Sequence, residues 1–175
     1  GGGILSESLA KKGGKVSAFD TSSALIKVAK KRASSQNLNI NYKVGDIRLI
    51  KKASLKFDII ISLEVIEHVS NYKAFLADIR SCLKKDGIII ISTINRNFLS
   101  YFTTILIAEK ILKLVPRGTH AWNKYVKPEE IIKFYEKYNL KLDKKVGLLP
   151  LPLRKNFKWV RTSNISSNYI LSIVN

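Results

Sequence analysis

Residues 57–63 read FDIIISL and residues 88–94 read IIIISTI. Each is a run of branched apolar side chains, too short for an ordinary helix and without the alternation of a strand that has one wet face. Both read as strands buried on two sides, and 57–63 is expected at the centre of a sheet. Between them Tyr72 to Leu83 has the periodicity of an amphipathic helix, and Lys85-Asp86-Gly87 is turn chemistry. Strand, helix and strand in that order predict a parallel pair with a crossover.

Working upstream, residues 4–12 read as a helix, and Lys15 to Phe19 as a strand ending in Asp20. The segment SSALIKVAKKRASS follows as a helix with Thr21, Ser22 or Ser23 at its start. Ala24, Leu25, Val28 and Ala29 are its expected buried face. A strand then covers Ile40 to Val44. Downstream come a long apolar helix from about Phe98 to Val115, the polar loop PRGTHAWNKYVKP, and a helix from Pro128 to Tyr138. Two late strands, near 140–148 and 167–174, would pair antiparallel at a sheet edge. The alternation predicts an α/β fold: a doubly wound, mostly parallel sheet ending in an antiparallel hairpin.

A chain of 175 residues with 46% hydrophobic and 25% charged side chains is sized for a single domain, here 1–175, with a real core. The lone Cys82 excludes a disulfide framework and a Cys-rich zinc site, and its place on the apolar side of a helix marks it as core. The absence of Met and the opening Gly1-Gly2-Gly3 suggest a start inside a larger protein. A net charge of +18 invites a polyanion partner. With 24 Lys against 7 Arg, abundant Ile and Asn, and Lys scattered along the chain, an AT-biased coding sequence would give the same excess, so a nucleic-acid partner is not expected, while attraction to an anionic membrane surface stays open.

The glycines lead directly into a helix, and Asp20 ends the next strand. Gly1 and Gly3 allow close backbone approach by a ligand, the helix start favours an anionic group, and Asp20 can take both hydroxyls of a ribose. Ser6 stands where a dinucleotide fingerprint would carry a third small residue, which disfavours a nicotinamide enzyme. Asp46, after the third strand, is placed to reach an adenine amino group, and Ser62-Leu63 ends the fourth.

The segment Leu63-Glu64-Val65-Ile66-Glu67-His68 follows. If it turns helical, Glu64 lies one turn from both Glu67 and His68, and two carboxylates with an imidazole suit Mg²⁺, tolerating Zn²⁺ or Mn²⁺. A metal there would orient a catechol-like substrate and lower its hydroxyl pKa. The other reading is a metal-free Glu67–His68 pair that shapes the substrate pocket or accepts a proton. His120, in Gly118-Thr119-His120, is a lesser candidate base.

The order of glycine turn, ribose acid, adenine acid and acidic segment resembles the S-adenosylmethionine-dependent methyltransferases of the Rossmann-like class. Nearly the whole chain is similar to one family within it, the ubiquinone biosynthesis O-methyltransferases. The likeness is carried by GGGILSESLAKKG, VSAFDTSSALIKVAK, SLEVIEHV, IIISTINRN, LKLVPRGTHAWNKYVKPEE and SNYILSIV. It implies methyl transfer from S-adenosylmethionine to a phenol or catechol hydroxyl of a polyprenylated quinone precursor, with Asp20 and Leu63 at the cofactor and Glu64, Glu67 and His68 at a metal. Another small phenol as substrate, or a basic RNA-modifying or RNA-binding protein, is the alternative. The family's first strand, first loop glycine and an upstream Arg would precede Gly1, so the sheet is expected to lack its central strand and this piece to bind cofactor weakly.

Residues of about 96–127 read as a substrate or membrane lid. FLSYFTTILIAEKILKLVP is interrupted by Glu109, Lys110 and Lys113 and is short for a bilayer span. With Arg96, Arg117 and Lys124 it suits an interfacial helix on anionic lipid, or a cover packed over the substrate pocket, with Trp122 and Tyr125 as walls. The expected setting is cytoplasmic and peripheral on the inner membrane, on the matrix side in a mitochondrion, beside other ubiquinone-biosynthesis proteins.

Overall fold

The computed structural model describes residues 1–100, 122–153 and 156–175. They form two compact units, Gly1–Leu55 and Lys56–Asn175. The expected helix from Phe98 to Val115 and the loop holding Arg117 and His120 lie outside the described residues, apart from the opening turn at Phe98–Ser100.

In the first unit, α1 (Ile4–Lys11), β1 (Val16–Asp20), α2 (Ser23–Ser34), β2 (Ile40–Val44) and α3 (Ile47–Lys52) alternate as the periodicity predicts. β1 and β2 pair in parallel with Asp20 opposite Val44. Ser22 caps α2, its side chain accepting the Leu25 N–H. The buried face of α2 differs from the expected one. Ile26, Ala29 and Ala33 are buried against Tyr42, whereas Leu25 and Val28 are exposed. Ala29 is buried as expected, and the face turns from it toward Ile26 and Ala33 in place of Leu25 and Val28; the alanines spaced four apart let α2 approach β2 closely. Glu7 of α1 is buried, and Arg32 Nε and Nη2 donate to its carboxylate at 2.7 and 3.0 Å, with Gln36 adding a bond at 2.9 Å. That cluster fastens α1 to α2, and the Arg32 bond, with the Gln36 bond, holds the Glu7 carboxyl below its ordinary pKa.

The second unit contains β3 (Phe57–Leu63), a 3₁₀ turn at Ile66–His68, α4 (Tyr72–Ser81), β4 (Leu83–Ile94), a short α5 (Phe98–Ser100), α6 (Pro128–Glu136), β5 (Lys141–Leu153), β6 (Asn156–Thr162) and β7 (Asn168–Val174). Its sheet runs β3-β4-β7-β5-β6. β3 and β4 are parallel, and β7 is antiparallel to both β4 and β5, as expected of the late strands. Three details differ from the sequence reading. Among the described residues β3 is an edge strand with Ile59 exposed, because its one paired neighbour is β4. Residues 85–87 belong to β4 as an irregularity: the pairing steps from Phe57–Leu83 to Ile59–Ile88, so the extra residues bulge out of the ladder. β6 was not expected, and β5 runs on to Leu153 to pair with it.

The core of this unit is built on alternate residues of the inner strands. Ile89 and Ile91 of β4 and Tyr169, Leu171 and Ile173 of β7 are all fully buried, with Leu76, Ile79 and Cys82 from α4 and its end. Tyr135 of α6 and Tyr169 bury rings whose hydroxyls donate to the carbonyls of Leu76 and Val126, at 3.3 and 2.7 Å. Cys82 is core as read, and so is Tyr125, at 1% exposure.

Candidate functional site

The first unit gathers the glycine turn and both predicted cofactor acids. Gly3 caps α1 at φ 94°, ψ −4°, a left-handed conformation that favours glycine, and Glu7 N–H closes the first helical bond onto its carbonyl at 2.9 Å. A side chain at Gly3 would also collide with α2, since an added Cβ would stand 3.0 Å from Ala29 Cβ and 2.7 Å from Tyr42 Oη. Nothing stands within 4 Å of an added Cβ at Gly1 or Gly2, so this backbone is open to close approach. The glycine turn and Asp20 lie in the same unit, one at the start of α1 and the other at the end of β1. Asp20 accepts the Ser22 N–H at 2.8 Å, and its carbonyl accepts Gly45 N–H at 2.9 Å. Asp46 lies just beyond Gly45 as the N-cap of α3. It accepts Arg48 N–H at 2.9 Å and pairs with the Arg48 guanidinium, which holds its carboxyl below the ordinary range. An open glycine backbone at a helix start, with carboxylates at adjoining strand ends, fits a nucleoside cofactor.

The second unit holds the acidic segment. Glu64 does not begin a helix as expected. Its N–H donates to the Ser92 carbonyl at 3.0 Å, extending the β3–β4 ladder one residue past Leu63, and the chain then bends through φ 53° at Glu64. A positive φ at a non-glycine residue costs about 1 kcal/mol and tends to mark a working site. After the bend, the 3₁₀ turn buries Glu67 at 6% exposure and leaves the His68 side chain exposed.

Two consecutive hydroxyls of β4 meet this segment. Ser92 Oγ donates to Glu64 Oε1 at 2.7 Å and accepts the Glu64 N–H at 3.2 Å, while Thr93 Oγ1 donates to Glu67 Oε2 at 2.8 Å. Burial pushes the pKa of Glu64 up to about 6, and the neighbouring charge of Glu67 adds to the rise. Burial raises Glu67 as well. The carboxyl pair therefore takes up a proton more readily than free carboxylates do. His68 Nε2 stands 4.0 Å from Glu67 Oε1. Among the described residues no set of three or more His, Cys, Asp or Glu side chains is drawn together as a formed metal centre. The donor chemistry of Glu64, Glu67 and His68 still matches a hard divalent ion, because two neighbouring carboxylates and an imidazole are oxygen and nitrogen donors of the kind such ions take.

Arg96 does not present a free charge to lipid. Its Nη2 donates to both oxygens of Glu130 at 2.8 Å, Tyr72 Oη approaches Glu130 Oε1 at 3.4 Å, and Lys127 N–H reaches Oε2 at 2.8 Å. Trp122 is 38% exposed, with its Nε1 donating to the Asn97 carbonyl at 3.0 Å. Lys124 is exposed, and no described helix is long and apolar enough to cross a membrane. Sequence reasoning passed over Ser92 and Thr93, which lay inside the quoted motif IIISTINRN without a role.

The family described as "Methyltransferase domain" matches residues 1–145. Curated relatives called ubiquinone biosynthesis O-methyltransferase include that of Coxiella burnetii (strain RSA 493 / Nine Mile phase I), 40% identical over 97% of this chain and 72% of the relative. That of Pelagibacter ubique is 40% identical over 99% of this chain and 71% of the relative. Among solved structures, magnesium protoporphyrin IX methyltransferase from Synechocystis PCC 6803 with bound SAH superposes with a TM-score of 0.70 at 20% identity, covering 100% of this chain and 70% of that one. An S-adenosylmethionine-dependent methyltransferase from Clostridium acetobutylicum gives 0.67 at 17% identity, over 99% and 80%. The solved structures establish the Rossmann-like methyltransferase fold, and the curated relatives carry the identity across nearly the whole length. On that footing this chain belongs to the ubiquinone biosynthesis O-methyltransferases, S-adenosylmethionine-dependent enzymes of the methyltransferase domain family.

Proposed function

We propose that the chain methylates a phenol or catechol hydroxyl of a polyprenylated ubiquinone precursor, with the Glu64–Glu67 pair as the proton-accepting centre. The observation that carries the reading is this pair, two neighbouring carboxyls just past the carboxyl end of β3, each held by a hydroxyl of β4. A carboxylate at this point can accept the hydroxyl proton as the oxygen attacks. Gly1, Gly3, Asp20, Asp46 and Leu63 would hold S-adenosylmethionine, which supplies the sulfonium methyl. Glu64, Glu67 and His68 would hold Mg²⁺, with Zn²⁺ or Mn²⁺ as substitutes, and the ion when bound would acidify the substrate hydroxyl. Positioning of the hydroxyl by these side chains would supply much of the rate.

The test is transfer of labelled methyl to a short-chain demethylubiquinol, with Mg²⁺ and again with EDTA. Metal-dependent transfer that disappears in Glu64→Ala and His68→Ala supports the assignment. Turnover indifferent to both substitutions refutes it.

We further propose action at an anionic membrane surface, cytoplasmic or on the matrix side of the inner mitochondrial membrane, alongside other ubiquinone-biosynthesis proteins. The net charge of +18 supports this, since basic residues near a negative leaflet each gain about 1 kcal/mol. Failure of vesicles rich in anionic lipid to retain the protein at low salt would remove the membrane from this account.

A further inference from the structure

We infer that Ser92 and Thr93, the consecutive hydroxyls at the end of β4, are positioning residues that aim the Glu64 and Glu67 carboxylates toward one bound cation or substrate hydroxyl. The inference rests on the functional reading above and concerns residues to which that reading gives no role. Three observations carry it. Each hydroxyl donates to a different carboxylate, Ser92 Oγ to Glu64 Oε1 at 2.7 Å and Thr93 Oγ1 to Glu67 Oε2 at 2.8 Å. Both residues are nine-tenths or more buried, with Thr93 at 0% exposure, and the Thr93–Glu67 bond is buried at both ends. The Glu64 backbone is itself fixed to Ser92, by the ladder bond at 3.0 Å and by the bond to Ser92 Oγ at 3.2 Å.

The consequence is geometric. A hydroxyl has one proton to give, and here it goes to one oxygen of each carboxylate. That oxygen is fixed in place and partly neutralised, and the rotation of the carboxyl about its last bond is stopped. The acceptor capacity left on the pair then serves a third party. Neutral donors suit this better than Lys or Arg, because a cationic partner would cancel the negative charge that attracts a cation or a substrate proton. Outer groups that hold metal-binding carboxylates in this manner are worth roughly 10–100-fold in affinity or activity.

The experiment uses the full chain in five forms: parent, Thr93→Val, Thr93→Ser, Ser92→Ala and Ser92→Thr. Valine keeps the shape of Thr93 and loses its donor, whereas serine keeps the donor. Mn²⁺ binding is measured by titration calorimetry without methyl donor or substrate, and S-adenosylmethionine affinity and the kcat and KM for the quinol are measured separately. The expected result is Mn²⁺ binding weakened about 10-fold or more in Thr93→Val and in Ser92→Ala. Thr93→Ser and Ser92→Thr should return most of that loss, and S-adenosylmethionine affinity should be unchanged in every variant. If the parent binds no Mn²⁺ but Thr93→Val lowers kcat and Thr93→Ser restores it, the positioning role stands and the metal assignment falls. If both hydroxyl-deleted variants match the parent in Mn²⁺ affinity and in kcat, the inference is overturned. Should Thr93→Val fail to fold, the Ser92→Ala and Ser92→Thr pair decides the question alone.

Discussion

Replacing Gly3 by alanine would put a methyl group where α2 already stands. The added Cβ would lie 3.0 Å from Ala29 Cβ, 3.2 Å from Ala29 Cα and 2.7 Å from Tyr42 Oη. Two of these atoms belong to a helix held by its own hydrogen bonds, so the strain is not relieved by turning a flexible side chain. The backbone adds a penalty of its own, because φ 94° at Gly3 costs an L-residue about 1–2 kcal/mol. Overpacking a filled contact costs about 1–3 kcal/mol more. The sum, about 2–5 kcal/mol, is a large part of the roughly 5–15 kcal/mol that separates folded from unfolded chains. At roughly 2–4 °C per kcal/mol, the melting midpoint should fall by roughly 4–20 °C.

The assay is thermal and urea unfolding followed by circular dichroism, with Gly1→Ala as the control, since an added Cβ at Gly1 meets nothing within 4 Å. Tyr42→Phe isolates the steric part. Among the described residues the buried Tyr42 hydroxyl has no hydrogen-bond partner, so its removal alone should be nearly neutral. In the Tyr42→Phe background Gly3→Ala should recover about 1 kcal/mol of its loss. A Gly3→Ala midpoint as close to the parent as that of Gly1→Ala would refute the reasoning.

Gly147→Ala should destabilise by about 1–3 kcal/mol, because its methyl would run into the Asn164 carbonyl where β5 lies between β6 and β7; urea unfolding measures it, and an unchanged midpoint would mean the carbonyl yields freely. Glu64 has its pKa raised to about 6 from an ordinary 4.5, so its contribution to stability is full below 4.5 and is lost as pH rises through 6. In EDTA, Glu64→Gln should therefore flatten the decline in unfolding free energy between about pH 5 and about pH 7, and an equally steep decline in the variant would count against the shift. Glu130 behaves with the opposite sign. Burial alone would raise it, but the Lys127 N–H and Arg96 bonds prevail and hold it below 4.5, so its contribution is present at neutral pH and lost in acid. Arg96→Met should cost about 1 kcal/mol near neutral pH and make the acid limb of the stability curve shallower, and a variant with the parent's acid limb would show that Arg96 does not hold the carboxyl down.

The strands of apolar runs 57–63 and 88–94 and the helices between them were legible because each carries one unambiguous period. The bounds of β5 and the existence of β6 were not: Pro150 and Pro152 break the strand pattern, and NFKWVRT mixes charge into a weak alternation. The buried face of α2 was read correctly at Ala29 and wrongly at Leu25 and Val28, because the same helical spacing also fits a stripe turned toward Ile26 and Ala33. In the candidate site, carboxylates and imidazole announce themselves by residue type, so Glu64, Glu67 and His68 could be named from the sequence. Ser92 and Thr93 could not, since a hydroxyl becomes informative only when β4 is seen to end opposite Leu63. The bend at Glu64 was equally hidden, because a single ladder bond to Ser92 outweighs the local preference for helix.

Trp122 Nε1 joins the Asn97 carbonyl at 3.0 Å, and Arg96 and Glu130 close the same gap from the other side, so the departure from β4 and the return toward α6 are buttoned to each other. The span between those fastenings is set by the scaffold and not by the length of chain that joins them. β4, which carries Ser92 and Thr93, is in this way fastened to α6 by side chains as well as through the sheet.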